Sequence, residues 1–291
     1  NESLLELIKR NLGFSSNTKA RTLIKSGRVQ VDSKTVKIPS SAILSGQQIK
    51  INELKEKKKP GKSTNNKDFE PIFEDTNFIA FVKPPGLLSV STNNAGKKEK
   101  NFLTILTRQI FGDTKSQLFI INRLDRAVSG IVLFAKNSSA DIAIRHEWSN
   151  SKKRYYALSE GIPKSEKGTI ESYLKQNRIG RVYSTPPSNY SKLCTLNYRI
   201  MQSGNGYSLL KIDSLAERKH SIRAQLSESK LPIAGDKDYK GRTSPINRFG
   251  LHLFSLSFFH PFEKKIIELK TPVPGPFKNY FKRQKNEIKP T

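Results

Sequence analysis

The sequence contains a single cysteine, Cys194, among its 291 residues. One thiol can form neither an intrachain disulfide nor a thiolate metal cluster, so the composition excludes a disulfide-rich scaffold and favours a reducing, cytoplasmic environment. Long apolar runs are also absent, because none approaches the roughly 20 residues that a membrane-spanning helix requires. We therefore expect a soluble protein without a membrane partner.

Patterns typical of metal and nucleotide sites are equally scarce. The four histidines have no H-E-x-x-H spacing and no acidic cluster beside them, so we expect no metal site. A glycine-rich phosphate loop is missing as well, and we expect no nucleotide cofactor. No Ser-His-Asp arrangement is evident, although three such residues could meet in space without any sequence pattern.

Acidic residues are few, with 25 Asp and Glu against 52 Lys and Arg, which gives a net charge of +27 and a pI near 10.1. Such a balance favours a polyanionic partner, and nucleic acid comes first because phosphate neutralisation supplies much of its binding energy. A solubilising surface or a membrane-surface patch are the alternatives. Apolar residues make up only 35% of the chain, so we expect segments outside one compact core.

The stretch from Ile120 to Lys136 contains the most informative carboxylate. Asp125 lies between Arg123 and Arg126 on a polar connector, with apolar runs before and after it at 118–121 and 131–135. These runs have the length of strands, and Ser129-Gly130 predicts a turn before the second one. Two neighbouring guanidiniums would keep Asp125 ionised, as a nucleophile or a base requires. The alternative is a structural ion pair, which is the commoner meaning of an Asp between two Arg.

The run RLDR, followed by SG and an apolar strand ending in AK, resembles the active-site motif of the RluA-type pseudouridine synthases. Asn122 stands where that family usually has His. Four further elements resemble the family and follow in its order, namely VKPPGLLSV at 82–90, K-x-Y-x-A at 153–157, the R-x-H-x-I-R-A-Q-L element at 218–226, and P-I-x-G-D-x-x-Y at 232–239. The run from Leu251 to Pro261 resembles the final strand of the family.

The resemblance implies roles for individual residues. Asp125 is the expected catalytic group, Tyr155 the aromatic that packs over the target base, and Arg223 the partner that holds Asp125. We expect a helix that displays Arg223 and Gln225 and buries Ile222 and Leu226. The remaining substrate-binding candidates near the motif are Asn122, Arg123, Arg126 and Ile222.

The first 53 residues predict a small module of two helices and short strands. Its second helix has basic residues around the exposed side, at Lys19, Arg21, Lys25 and Arg28. The order helix, helix, SGRVQVD, SGQQIKI resembles the S-four RNA-binding domain, which implies that these cations bind structured RNA. A solvated helix face is the alternative.

Composition and the two resemblances together predict four segments. These are an RNA-binding domain at 1–53, a charged flexible linker at 54–68, a catalytic domain at 69–277 and a basic, frayed C-terminal tail at 278–291. The linker is almost free of apolar residues and cannot offset its ordering entropy by burial. For the catalytic domain we expect an α+β fold with a mixed, mainly antiparallel sheet flanked by helices and loops, and for the first domain a small α/β fold.

The resemblance implies that the protein isomerises specific uridines to pseudouridine in structured RNA, without a cofactor and as a monomer. Large-subunit ribosomal RNA is the favoured target and transfer RNA the alternative. Whether Asp125 attacks C1′ of the ribose or takes the C2′ proton stays open. Two other functions are considered: a noncatalytic RNA-binding protein for ribosome assembly, and a glycosidic-bond hydrolase, which normally needs two carboxylates.

Overall fold

The computed structural model describes residues 2–11, 17–25, 27, 29–51, 69–91, 100–112, 114, 116–214 and 219–287. The chain divides into two compact units, Asn1–Asn66 and Lys67–Thr291, here called the N-terminal unit and the C-terminal unit. The predicted linker at 54–68, Arg28 and the side chain of Lys19 lie outside the described residues. Among the helices that are described, none is both long and apolar enough to cross a membrane.

The N-terminal unit contains two helices and two small sheets. Its elements in chain order are β1 (Glu2–Ser3), α1 (Leu4–Asn11), α2 (Asn17–Lys25), β2 (Val29–Val31), β3 (Lys34–Thr35), β4 (Ala42–Ile43) and β5 (Ile49–Ile51). Strand β2 pairs antiparallel with β3 and β5, and β1 pairs antiparallel with β4. Asp32 and Ser33 connect β2 to β3 with φ angles of 47° and 67°, the left-handed values that a two-residue type I′ hairpin requires.

The helices of this unit bury residues at helical spacing. Leu4 and Ile8 of α1 and Ala20 and Ile24 of α2 are all four residues apart within their helix and are buried. They pack with apolar side chains from the strands, which are Val29, Val31 and Ile43. The basic residues Arg21 and Lys25 remain exposed on α2.

The C-terminal unit is built on one large sheet. Its strands are β6 (Pro71–Glu74), β7 (Phe78–Lys83), β8 (Phe119–Ile120), β9 (Ser129–Ala135), β10 (Lys152–Glu160), β11 (Lys167–Gln176), β12 (Val182–Ser184), β13 (Lys192–Gly204), β14 (Tyr207–Ser214), β15 (Leu251–His260) and β16 (Lys265–Lys270). Its helices are α3 (Phe102–Phe111), α4 (Ser138–Glu147), α5 (Ser221–Glu228) and α6 (Gly275–Glu287).

Within the described residues the sheet has 11 strands in the order β12-β11-β13-β14-β10-β15-β9-β7-β6, with β16 beside β15 and β8 beside β9. Every pairing is antiparallel except that between β15 and β9. The prediction of a mixed, mainly antiparallel sheet is confirmed. All seven residues of β9 are buried, so the strand that follows the Asp125 connector runs through the core.

The parallel junction between β9 and β15 explains why glycine follows the connector. Gly130 lies opposite Leu253 and has a φ of 134°. A Cβ atom at Gly130 would lie 2.3 Å from the carbonyl oxygen of Leu253, closer than any real contact. The predicted turn at Ser129-Gly130 is therefore wrong, because the two residues begin β9 and the glycine permits the close approach of β15.

Buried polar side chains lock the same junction. His252 lies opposite Ser129, and its Nδ1 is 2.7 Å from the Ser129 hydroxyl while its Nε2 is 2.9 Å from that of Thr271. Burial, reinforced by the charge of Arg248, lowers the pKa of His252 to about 4. The imidazole is therefore neutral at physiological pH and acts as a hydrogen-bonding spacer between strands.

The C-terminal segment differs from the frayed tail predicted from Lys278 onwards. Helix α6 extends to Glu287, and its residues Phe277 and Phe281 are buried in an apolar cluster with Leu158 and Leu209. Aromatic residues at helical spacing supply the stripe that docks this helix, although the basic composition conceals it.

We predict that Gly130→Ala lowers the free energy of unfolding by about 3 kcal/mol, since an added methyl would overpack the junction at an unfavourable φ. The measurement is urea unfolding followed by the fluorescence of Trp148, the single tryptophan of the sequence. The matched control is Gly206→Ala, where φ is also positive but no atom lies within 4 Å of the new Cβ. Equal effects of the two substitutions would contradict the packing role of Gly130.

Candidate active site

Asp125 lies on an irregular connector between β8 and β9, and the preceding residue is fixed by a serine from another loop. The hydroxyl of Ser89 donates to the carbonyl of Leu124 at 2.6 Å and accepts the Leu124 N–H at 3.0 Å. The N–H of Val128 donates to the carbonyl of Asp125 at 3.1 Å, which closes a turn. The backbone of the connector is thus held on both sides of the carboxylate.

The residue after Asp125 is fixed by a buried lysine. Lys83, at the end of β7, donates from Nζ to the carbonyls of Pro84, Leu87 and Arg126 at 3.0, 2.7 and 3.2 Å. The N–H of Gly86 also donates to the Arg126 carbonyl, at 2.8 Å. Three carbonyl acceptors match the three protons of an ammonium group.

The charge of this lysine is moderated by its surroundings. Burial lowers the pKa of Lys83 to about 8, with the negative charge of Asp125 opposing the change and the charge of Arg248 adding to it. Lys83 is therefore mostly protonated at neutral pH and places a positive charge close to Asp125.

The carboxylate of Asp125 contacts two donors through one oxygen. Oδ2 lies 3.1 Å from Nε2 of His220 and 3.3 Å from Nη1 of Arg223. Burial raises the pKa of Asp125, but the hydrogen bonds and charges of His220 and Arg223 outweigh burial and place the pKa below its ordinary value. Asp125 is therefore ionised at neutral pH.

The largest effects that lower the pKa of Asp125 come from His220 and Arg223, about 100 residues away in the chain. Arg223 is the partner that the resemblance implied, whereas His220 was not expected. The adjacent Arg123 and Arg126 line the cleft.

Arg223 is itself rigidly held on α5. Its Nε and Nη2 donate to the two carboxylate oxygens of Asp236, each at 2.7 Å, and Nη2 also donates to Asp238 at 3.0 Å. Its guanidinium lies 4.7 Å from the ring centre of Tyr239 and 5.3 Å from that of Phe249. Burial alone would lower the pKa of Arg223, but Asp236, Asp125 and Asp238 together raise it. The guanidinium is thus a permanent, oriented charge beneath Asp125.

A cleft of about 920 Å³ opens above this group. Its lining brings together Asp125, Tyr155, Arg223 and Ile222, which the sequence had singled out as site residues. Tyr155 projects from β10 and only 7% of it is exposed. Cationic side chains also contribute to the lining, and these are Arg123, Arg126, Lys153, Lys219 and Lys237.

Two side chains have a geometry different from the one expected. The amide of Asn122 donates to the carbonyl of Ile131 at 3.0 Å and accepts the N–H of Leu133 at 2.8 Å. Its polar atoms therefore anchor the connector to β9. Asn122 also lines the cleft, and its contact with the substrate stays a prediction. Gln225 was expected beside Arg223, but its amide donates to the carbonyls of Ile170 and Cys194 at 3.1 and 2.9 Å.

The sequence-based selection missed several residues that shape this site. His220 and Asp236 contact Asp125 and Arg223 directly, and Lys83 and Ser89 hold the connector. All four occur within elements that resemble the synthase family, so the signal existed. What the sequence did not reveal is which side chains of those elements point towards Asp125.

Within the described ranges, a group of three potential metal ligands lies outside the cleft lining. Oxygen or nitrogen atoms of Asp75, His260 and Glu263 lie within 4.8 Å of one another. Nε2 of His260 is 3.0 Å from Asp75 Oδ2, and its Nδ1 accepts the Glu263 N–H at 3.0 Å. Both imidazole nitrogens are therefore already engaged by the protein.

We predict that Asp236→Asn lowers the free energy of unfolding by about 3–5 kcal/mol, because it leaves the buried Arg223 charge without its main counterion. Asp238→Asn is the matched control, since its side chain is 76% exposed and such pairs contribute about 1 kcal/mol or less. Urea unfolding of both variants is the measurement. A smaller loss for Asp236→Asn than for Asp238→Asn would contradict the anchoring role of Asp236.

Comparison with known proteins agrees with this geometry. A sequence model of the family described as RNA pseudouridylate synthase matches residues 77–228, and one of the S4 domain matches residues 4–49. An RNA pseudouridine synthase of Zymomonas mobilis is 30% identical over 211 residues, which covers 71% of this chain and 94% of that protein.

One further sequence relative and one solved structure are matched over most of their length. The ribosomal large subunit pseudouridine synthase D of Haemophilus influenzae is 24% identical, with 90% of this chain and 85% of that protein covered. The solved structure of human RNA pseudouridylate synthase domain containing 4 superposes with a TM-score of 0.60 at 18% identity, covering 74% of this chain and 92% of that one, so it shares the fold.

The family match spans more than half of the chain and includes the connector, Tyr155 and Arg223. The resemblance to RluA-type synthases and to the S4 domain is confirmed. The chain therefore belongs to the RNA pseudouridylate synthase family, which isomerises uridine in RNA, and it carries an S4 domain ahead of the synthase region.

Proposed function

We propose that Asp125 is the catalytic group of this synthase and that its substrate is large-subunit ribosomal RNA. The observation that carries the first part is an ionised carboxylate, lowered in pKa by His220 and Arg223, in a cleft that Tyr155 also lines. The second part is supported by the Haemophilus influenzae relative, whose name specifies the large ribosomal subunit.

The cleft accommodates a nucleotide that has left its helix. Extruding a uridine from a stem costs a few kcal/mol, which stacking on an aromatic side chain and contacts to phosphates offset. Tyr155 offers the ring, and Lys153, Lys219 and Lys237 offer cations in the same cleft lining. RNA therefore meets positive charge before its base reaches Asp125.

Asp125 then breaks the bond between uracil N1 and C1′ in one of two ways. As a nucleophile, it forms a bond from a carboxylate oxygen to C1′ while the N1–C1′ electron pair leaves with the uracil. As a base, it takes the C2′ proton, a C1′–C2′ double bond forms and the same pair leaves. The freed uracil rotates and rejoins C1′ through C5. In the first route the bond from C1′ to the Asp125 oxygen breaks and the carboxylate leaves, and in the second Asp125 returns the proton to C2′ as the double bond is consumed. Loss of the C5 proton and gain of a proton at N1 restore the ring, with the Tyr155 hydroxyl as the nearby polar group.

The hydrolase alternative requires a second free carboxylate to activate water. The described carboxylates of the cleft lining besides Asp125 are Asp236 and Asp238. Asp236 is only 1% exposed and accepts two hydrogen bonds from Arg223. Asp238 also accepts from Arg223. The geometry thus favours isomerisation over hydrolysis.

We predict that Asp125→Asn lowers turnover by about 10⁴-fold or more, as removal of a central group does in other enzymes, while RNA affinity stays within about twofold because the variant is isosteric. The assay is tritium release from C5-labelled uridine RNA, and free uracil is measured in parallel. The control is Asp213→Asn, which should be fully active. Asp213 lies on β14 and pairs with Arg154 of β10.

The target is tested by mapping pseudouridine in ribosomal and transfer RNA of a strain that lacks the gene. Sites in large-subunit ribosomal RNA should vanish and return with the wild type but not with Asp125→Asn. Sites lost only from transfer RNA would contradict the substrate assignment. Full restoration by Asp125→Asn would exclude Asp125 as the catalytic group. If no site changed on deletion, a noncatalytic ribosome-assembly role would become the leading interpretation.

We also propose that the exposed cations of α2 bind the RNA, as the S4 match and the exposure of Arg21 and Lys25 support. Reversing both charges should weaken RNA binding and flatten the dependence of log K on log salt concentration, because phosphate contacts release counterions. The control reverses Lys265 and Lys270 of β16, which gives the same net charge at exposed sites. Equal losses in both variants would indicate general charge attraction only.

A further inference from the structure

The two oxygens of the Asp125 carboxylate have different surroundings. Oδ2 is approached by Nε2 of His220 and Nη1 of Arg223. Within the described part of the chain, Oδ1 accepts no hydrogen bond, although 29% of the side chain is exposed to the cleft. On a carboxylate that is otherwise held, the oxygen without a protein donor is the one open to a substrate.

His220 reaches Oδ2 from an unusual backbone position. It is the residue before α5 and has a left-handed backbone with a φ of 62°, a conformation that residues other than glycine seldom adopt. Its carbonyl accepts the N–H of Ala224 at 3.0 Å, so it still closes the first turn of the helix. The backbone therefore directs the imidazole away from the helix and towards the cleft.

A buried tyrosine sets the orientation of that imidazole. The hydroxyl of Tyr239 lies 3.2 Å from Nδ1 of His220 and accepts the N–H of Val182 at 2.9 Å. Burial outweighs smaller opposing effects and raises the pKa of Tyr239, so the hydroxyl keeps its proton. The contact at Nδ1 orients the ring with Nε2 facing Asp125, and Nε2 carries a proton because the ionised carboxylate can only accept.

The same tyrosine supports the second donor. Its ring lies edge-on to His220, with the centres 5.7 Å apart at 83°, and face-on to the Arg223 guanidinium at 4.7 Å. Arg223 is fixed in turn by Asp236. Both residues that contact Oδ2 are therefore also in contact with the buried Tyr239.

We propose that His220, oriented by Tyr239, is a positioning residue that holds Asp125 through Oδ2 so that Oδ1 is the oxygen that meets the ribose. The proposal rests on Asp125 being the catalytic group, and it holds whether Oδ1 attacks C1′ or accepts the C2′ proton. Arg223 alone leaves the carboxylate free to turn about the bond to its β-carbon. A second contact from a different direction removes that freedom.

Charged and titratable groups from several elements face this pair. Among the described residues, Arg223 and Asp125 face His220 from α5 and the connector, and Tyr239 faces it from the loop after Asp236. Lys83 acts on Asp125 through its charge from the end of β7. Removing His220 thus removes one of two direct donors to Asp125 and leaves the other in place.

The test compares His220→Ala, His220→Gln and Tyr239→Phe with the wild-type full-length protein in single-turnover assays on large-subunit ribosomal RNA, from neutral pH down to about pH 4. His220→Ala should lower the single-turnover rate by about 10–100-fold, the size of effect seen when a metal-binding side chain loses the hydrogen-bonding partner that orients it. RNA affinity should stay within about twofold, because the loss is in orientation and not in binding. The acidic limb of the rate profile should move to higher pH, because the pKa of Asp125 rises when a donor is lost.

His220→Gln is the conservative variant, since its side-chain amide can donate to Oδ2 from nearly the same place. It should recover most of the rate and return the acidic limb towards its wild-type position. Tyr239→Phe keeps the ring and removes the hydroxyl, so it should give a smaller loss of rate in the same direction as His220→Ala.

Each result supports or overturns the proposal. A wild-type rate and an unmoved acidic limb in His220→Ala, with Asp125→Asn inactive, would overturn the positioning role and leave Asp125 as the catalytic group. Activity in Asp125→Asn would overturn the proposed function itself. If His220→Ala does not fold, an unmoved acidic limb and a full rate in Tyr239→Phe would overturn the proposal. A His220→Gln variant that folds but shows the 10–100-fold loss expected for His220→Ala would also overturn it.

Discussion

The geometry of the cleft depends on the ion pair between Arg223 and Asp236. The charge of Arg223, a residue that is only 7% exposed, needs a counterion, and Asp236 supplies one with two hydrogen bonds of 2.7 Å. Once Arg223 is fixed in this way, its Nη1 donates to Asp125 at 3.3 Å. A buried pair of this kind contributes little net stability compared with apolar packing, but it determines direction. The carboxylate is thus oriented by a group that is itself oriented.

Backbone anchoring provides the complementary constraint. The connector around Asp125 has no regular secondary structure, so its position depends on Ser89 at Leu124 and on Lys83 and Gly86 at Arg126. From the other side, Asn122 ties it to β9. Lys83 lies at the end of β7, and the backbone groups that bind Asn122 lie on β9. These two strands pair with each other, so the sheet is a rigid frame for a short irregular segment. Support from this frame explains how an irregular segment can hold the Asp125 carboxylate in a defined position.

The charges around the site fall into two groups. Arg223 and the buried Lys83 place positive charge near the negative charges of Asp125 and Asp236. The cleft lining also contains the cations Lys153, Lys219 and Lys237, consistent with a chain of net charge +27. Such cations attract a polyanion over a distance that salt limits to about 10 Å. The ionisation of Asp125 itself is set mainly by its direct partners His220 and Arg223, which outweigh burial.

The amino-acid sequence by itself determined the family, the fold class, the two helices and short strands of the N-terminal unit, and Asp125, Tyr155 and Arg223 as residues of one site. Periodicity and short motifs are local, and local patterns can be read along a chain. The sequence assigned a turn to Ser129-Gly130 and overlooked Asp236 and His220, which also lowers the pKa of Asp125. Those features were decided only by the tertiary structure, because a pKa, a close strand approach and a side-chain direction depend on atoms brought together from positions as far apart as 125 and 223. Electrostatic and packing interactions depend on distances in the folded chain, and the order of residues in the sequence does not show those distances.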